Sequence, residues 1–292
     1  MAKTQANFPT SLDVLNTDRE AGQVITSASY DVIEDAITEI EAEIRRVTPK
    51  TGTATLTEAM GGTVLVSAAG AAYTITLPTA VGNTGLTYHF IKTDANYTLI
   101  TLAANGAETF NYESSTGAPV ATYPRLNTYC AEVTVVSDGA NWQCINERLG
   151  QVPECRVYLS TNQLNLTKST WTLVLYNTES YDIGSNFNTT THKFIVPIPG
   201  KYQIVDVLCW YGASVVATKN YTTQYRIGAS AQQTHTAHSS LVANVVNSLL
   251  DVAILAIADE ITIWAVNDSG VDTVDIDCDT YYPLIIKLVS KT

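Results

Sequence analysis

Residues 192–212, HKFIVPIPGKYQIVDVLCWYG, hold two apolar-rich runs, HKFIVPI (192–198) and YQIVDVLCWYG (202–212). Val, Ile, Phe and Tyr at this density fit pleated, half-buried surfaces, so both runs are expected as β-strands. Working outward, six more runs of the same kind lie after Gly150: RVYLS (156–160), WTLVLY (171–176), YTTQYRIG (221–228), LLDVAILAI (249–257), ITIWAV (261–266) and LIIKLVS (284–290). Polar turns separate them. Eight strands in about 140 residues predict a β-sandwich or jelly roll over residues 151–292. The apolar stretch Leu241–Ala258 is interrupted by Asn244, Asn247 and Asp251, which favours two core strands over a membrane span.

Upstream, the linker Gly150-Gln151-Val152-Pro153 bounds a second β-rich block. TVLVS (63–67), YTITLP (73–78), LTYHFIKT (86–93), TLITLAA (98–104), EVTVVS (132–137) and NWQCIN (141–146) read as short strands, with Gly61-Gly62, Gly82-Asn83, Asn105-Gly106 and Asp138-Gly139 as turns. Asp138-Gly139 between two such runs predicts a hairpin. A small β domain over residues 49–150 is the expectation, and no repeat at a solenoid or propeller period is visible.

Before it, SYDVIEDAITEIEAEIRRV (29–47) carries Tyr30, Ile33, Ile37, Ile40, Ile44 and Val47 at alternating spacings of three and four. That is a heptad stripe, and it predicts a coiled-coil helix within residues 23–48. Isoleucine at both core positions disfavours a two-stranded coil and favours three or four strands. Ile33, Ile37, Ile40, Ile44 and Val47 are therefore the candidate trimerisation residues. A helix packing its stripe on its own domain is the alternative. Residues 1–22 form an irregular arm without a core of its own.

The composition bounds the function classes. The chain has 292 residues, 46% hydrophobic and 15% charged, with 28 acids against 16 bases and a net charge of −12. Such a surface repels phosphate backbones and anionic headgroups, so neither nucleic-acid binding nor membrane insertion is expected. Five cysteines at positions 130, 144, 155, 209 and 278 show no metal-ligand spacing and read as small buried hydrophobes, with a Cys130–Cys144 bridge as the lesser alternative. No secretion signal is read at the amino terminus.

No catalytic constellation emerges, no cofactor is implied, and the chain is not expected to be an enzyme. His235 and His238 could hold a metal if their rings converged, but QQTHTAHSS reads as a solvated loop. Asp275, Asp277 and Asp279 would share one face of a strand, with Val274, Ile276 and Cys278 on the other; a solvent-facing strand is favoured over a hard-cation site. Trp210, Tyr211, Tyr281 and Tyr282 are the candidate receptor contacts, since such side chains supply rigid contact area. Tyr221 and Tyr225 are candidates of the same kind, with the core or a subunit interface as the alternative for all of these rings.

Three stretches carry resemblances. FPTSLDVLNTDREAGQVITSASYDVIEDAITEIEAEI resembles the amino-terminal segment of bacteriophage virion proteins. The stretch from Val64 to Phe110, together with VTVVSDGANWQCI, is similar to a small β domain of phage fibres and head decorations. FNTTTHKFIVPIPGKYQI resembles a marker passage of the trimeric jelly-roll superfamily that includes tumour necrosis factor and the complement globular head, with Phe194, Pro197, Gly200 and Tyr202 on the marker positions. Asp182, Ile183, Gly184, Asn186 and Phe187 match the preceding turn, whereas Ala258 stands where glycine is usual and the ending lacks the usual Phe-Gly pair. These resemblances imply a homotrimeric virion fibre on head or tail, docked to a capsid or tail protein through residues 1–22. Its head would face a host surface polysaccharide or protein, and the chain would reside at the particle surface. A secreted or cell-surface bacterial adhesin and a fibre-borne polysaccharide-degrading enzyme are the alternatives.

Overall fold

The computed structural model describes residues 35, 37, 38, 46–112, 118–211, 215, 218–238, 244–268 and 273–291. From Arg46 onward these residues are almost wholly β, arranged around two hydrophobic cores.

The first unit contains β1 (Val47–Lys50), β2 (Ala54–Thr55), β3 (Gly62–Val66), β4 (Tyr73–Thr76), β5 (Thr87–Lys92), β6 (Ile100–Ala103), β7 (Phe110–Asn111), β8 (Thr122–Leu126), β9 (Glu132–Ser137) and β10 (Trp142–Arg148). Consecutive strands from β1 to β9 change sheet each time. β1, β3 and β5 pair in parallel in one sheet, and β2, β4 and β6 pair in parallel in the other. The chain therefore winds like a short β-helix, which β8 and β9 close by pairing antiparallel to β6 and β5. Period-2 alternation puts Val64, Val66, Ile75, Phe90, Leu102 and Val133 between the sheets, where each is fully buried. Burying a side chain of this size contributes about 1.5–3 kcal/mol. The winding lacks a sequence repeat because its turns differ in length. Val47 is opposite Thr63, and Thr63 is opposite His89.

The second unit contains β11 (Glu154–Tyr158), β12 (Gln163–Thr167), β13 (Thr172–Leu173), β14 (Thr178–Ile183), β15 (Phe187–Asn188), β16 (Lys193–Ile195), β17 (Gly200–Tyr211), β18 (Asn220–Ile227), β19 (Ser230–His238), β20 (Val245–Leu255), β21 (Glu260–Asp268), β22 (Thr273–Ile276) and β23 (Leu284–Lys291). Its main pairs are nested: β18 with β19, β17 with β20, β16 with β21, and β11 with β23, all antiparallel. A hairpin of eight strands wrapped in this order is a jelly roll. The wrapping yields two facing sheets. One has seven strands, with β20, β17, β23 and β11 as neighbours; the other contains β16, β21, β18 and β19. Tyr202, Ile204, Leu208, Trp210, Tyr221, Tyr225, Ile261, Ile263 and Ile286 fill the space between them.

Several sequence expectations need correction. Val47, assigned to the helix stripe, opens β1, so the β unit starts inside the stretch assigned to the helix. Residues 245–255 form one long strand where two were expected, with residues 241–243 outside the described set. The segment expected as a solvated loop around His235 is the edge strand β19. It escaped notice because its Gln, Thr and His residues are exposed on both faces and leave no apolar period. β22 ends at Ile276, so Asp275 lies on a strand while Asp277 and Asp279 lie beyond it.

The two units are pinned together. The Tyr97 hydroxyl donates to the Ile183 carbonyl at 3.0 Å, entering a turn where Gly184 has φ +95°. Lys291, at the end of β23, donates from Nζ to the Arg125 carbonyl at 2.7 Å and to Thr128 Oγ1 at 3.1 Å. The Gln151 amide, in the expected linker, donates to the Tyr129 carbonyl at 2.7 Å.

Candidate subunit interface

β20 decides the character of the seven-stranded sheet's outer face. Alternation sends Val245, Asn247 and Leu249 inward, where they are buried. The same alternation turns Val246, Leu250, Val252 and Ile254 outward, and they are 50%, 58%, 55% and 71% exposed. In register, Leu250 stands opposite Val205 of β17, and Val205 opposite Ile285 of β23. Val289 of β23, half exposed, shares the outward phase of Ile285. Single exposed aliphatics are ordinary, but a contiguous apolar row of this kind marks an association surface.

A charged flank borders the apolar row. Lys287 Nζ lies 3.0 Å from Glu154 Oε2, and the Tyr181 hydroxyl donates to Glu154 Oε1 at 2.7 Å. Partial burial, and then the hydrogen bond to that carboxylate, raise the Tyr181 hydroxyl to about 12. Tyr181 therefore remains a donor at neutral pH. The side chains of this flank are oriented before any second surface arrives, which lowers the entropy lost on association.

Behind this face, inside the sandwich, sits a group that sequence reasoning missed. Asp206 on β17 is fully buried and accepts a hydrogen bond from the Tyr176 hydroxyl at 2.6 Å. Burial disfavours the charged carboxylate and pushes its pKa up to about 7; the Tyr176 bond works in the opposite direction. The signal was its phase: Asp206 shares the inward phase of Tyr202, Ile204, Leu208 and Trp210.

That phase also corrects the receptor-contact set. Trp210 is fully buried, with its ring 5.3 Å from that of Tyr221, and so lies in the core. Tyr221 and Tyr225 are likewise buried. Tyr211 and Tyr281 are on the surface, at 42% and 80% exposure, and Tyr282 is half-buried. His235 and His238 occupy opposite faces of β19, since residues three apart on a strand point apart, so their rings do not converge. Asp275 Oδ1 accepts the Asn165 amide at 2.8 Å, and Asp279 Oδ1 accepts the Tyr281 amide at 3.1 Å. Among the described residues, no three His, Cys, Asp or Glu side chains gather to hold a metal. All five cysteines are free, so the Cys130–Cys144 bridge is not formed. Of the heptad positions, Ile33, Ile40 and Ile44 lie outside the described residues, as does the arm 1–22; Ile37 is helical and half exposed. Among the described residues, no helix is long and apolar enough to cross a membrane.

No family model and no curated protein matches the chain. Among solved structures, the globular domain of zebrafish complement 1qA protein is similar over 48% of this chain and 99% of its own, at 14% identity and a TM-score of 0.37. Murine APRIL at pH 5.0 is similar over 47% of this chain and 99% of its own, at 11% identity and a TM-score of 0.37. The PRD1 vertex protein P5 is similar over 47% of this chain and 97% of its own, at 18% identity and a TM-score of 0.35. Likeness at this level decides neither fold nor function, and the nested pairing of β11 through β23 carries the jelly-roll assignment by itself.

Proposed function

We propose that the chain is a structural subunit of a virus particle: a parallel homotrimeric fibre or spike, anchored by residues 1–22 and presenting its jelly roll outward for attachment, without catalytic turnover. The observation that carries this reading is the apolar outer face built by Val246, Leu250, Val252 and Ile254, whose natural occupant is the same face region of further copies. Three copies are favoured over two by the isoleucine heptad of residues 33–44. The particle location is supported by the phage-like sequence of residues 8–44 and 64–110.

Deleting residues 1–22 tests the anchor. The truncated chain should remain soluble with its jelly roll folded, yet fail to enter particles when it competes with the full chain. Antibody to the jelly roll should decorate particles carrying the full chain. Normal incorporation of the deletion would place the anchor elsewhere, and particles that never bind the antibody would remove the structural reading.

A further inference from the structure

The outer face of the second sheet carries a different kind of surface. Inward positions on β18 and β21 are Tyr221, Thr223, Tyr225, Ile261, Ile263 and Ala265, so Arg226 and Trp264 face outward. The Arg226 guanidinium lies 4.0 Å above the Trp264 ring and 5.8 Å from the Trp171 ring. Gln224 fixes its remaining freedom: with the amide oxygen turned toward the guanidinium, it accepts from Nη2 at 2.7 Å and from Nε at 2.9 Å. Trp264 is itself held, its Nε1 donating to Thr262 Oγ1 at 3.0 Å. Among the described residues of β21, Glu260 and Asp268 share the outward phase of Trp264, and both are engaged elsewhere. Glu260 pairs with Lys193 at 2.7 Å, and Asp268 accepts from Ser169 at 3.3 Å. Among the described residues, no carboxylate lies within ion-pair distance of Arg226.

We propose that Arg226, held between Trp171 and Trp264, is a binding site for a sugar bearing a single carboxylate within an otherwise neutral saccharide. The argument is one of inventory. A guanidinium has five N–H donors, and Gln224 takes one on Nε and one on Nη2. The outer pair, on Nη1 and Nη2, keeps the fork geometry that grips a carboxylate with two parallel bonds. Fixing an arginine in advance removes the rotamer entropy that binding would otherwise cost. Trp171, partly exposed beside the fork, offers an apolar ring for the C–H face of a pyranose. The rest of the chain selects the ligand class. At a net charge of −12 a polyanion is repelled, whereas an isolated carboxylate reaches the fork inside a Debye length of about 8 Å.

This inference supplies the attachment reading with a ligand class, but its test measures binding to the intact chain in solution, so either can fail without the other. The probes are a trisaccharide ending in glucuronate, the same trisaccharide ending in glucose, and inorganic phosphate. Titration calorimetry near 0.15 M salt should give a dissociation constant of about 1 mM for the acidic sugar and much weaker responses to the other two. Arg226→Gln should weaken acidic-sugar binding by about tenfold or more. Arg226→Lys, which keeps the charge and loses the fork, should fall between. Trp171→Ala should weaken acidic-sugar binding by more than it weakens the phosphate response, because it removes the ring offered to the pyranose as well as one of the two rings beside the guanidinium; a purely structural role would weaken both alike. Melting curves for each variant establish that it is folded, and Arg226→Lys keeps the test open if Arg226→Gln does not fold. Equal binding of acidic and neutral sugars, unchanged binding in both Arg226 variants, or phosphate binding as tightly as the acidic sugar would each overturn the assignment.

Discussion

Asp206→Asn perturbs the jelly roll at a fully buried carboxyl. In the wild type the carboxyl is fully buried, its Oδ1 accepts from Tyr176, and among the described residues Oδ2 has no hydrogen-bond partner. Its pKa stands at about 7 in the folded protein against an ordinary value of 3.8. The folded state therefore holds a proton that the unfolded chain has released between those two values. Stability from this group is fully present below pH 3.8 and is lost as pH rises to about 7, after which the difference is constant. A separation of about three pH units corresponds to roughly 4 kcal/mol per chain, at about 1.36 kcal/mol per unit. Asparagine does not titrate. Its amide costs about 1–3 kcal/mol where it lacks an acceptor, but that cost is the same at every pH. Thermal melts of both proteins at matched concentration, from pH 4 to pH 8, read the difference. The wild type should lose ground to Asp206→Asn steadily up to about pH 7 and then hold level. A difference that stays flat across the range would refute the buried-proton argument.

Two other perturbations address the surfaces. Leu250→Asp combined with Ile254→Asp places charges on the apolar face, removing about 1–2 kcal/mol of burial per side chain in the assembled state. Sedimentation velocity should show the assembly dissociating with the jelly roll still folded, because both side chains are exposed within one chain; an unchanged sedimentation coefficient would contradict this. Gly184→Ala brings a methyl to 1.9 Å from the Tyr97 hydroxyl at a backbone φ of +95°. It should cost about 1–3 kcal/mol in a melt, partly recovered by adding Tyr97→Phe, which removes the colliding oxygen.

What was legible in the sequence follows from how each strand meets solvent. Strands with one buried face, such as β5 with Tyr88 and Phe90 inward, alternate cleanly and were located. β19 was not, since neither face is buried and Thr, Gln and His leave no period. β8 was hidden by Pro124 and Arg125 within a five-residue strand. The β-helical winding went unread because unequal turns erase any repeat, although β3, β4, β5, β6, β9 and β10 were individually visible. Trp210 was misplaced despite its legible phase with Ile204 and Leu208. The Arg226 site depends on Trp171, which reaches it from the residue just before β13, and no local spacing encodes that meeting.

The mass of the intact chain in solution tests the central claim most directly. Multi-angle light scattering should give three times the 31.5 kDa chain mass, unchanged on dilution through the micromolar range. A monomer or dimer mass would contradict the trimeric fibre and leave the apolar face of β20 without its proposed occupant.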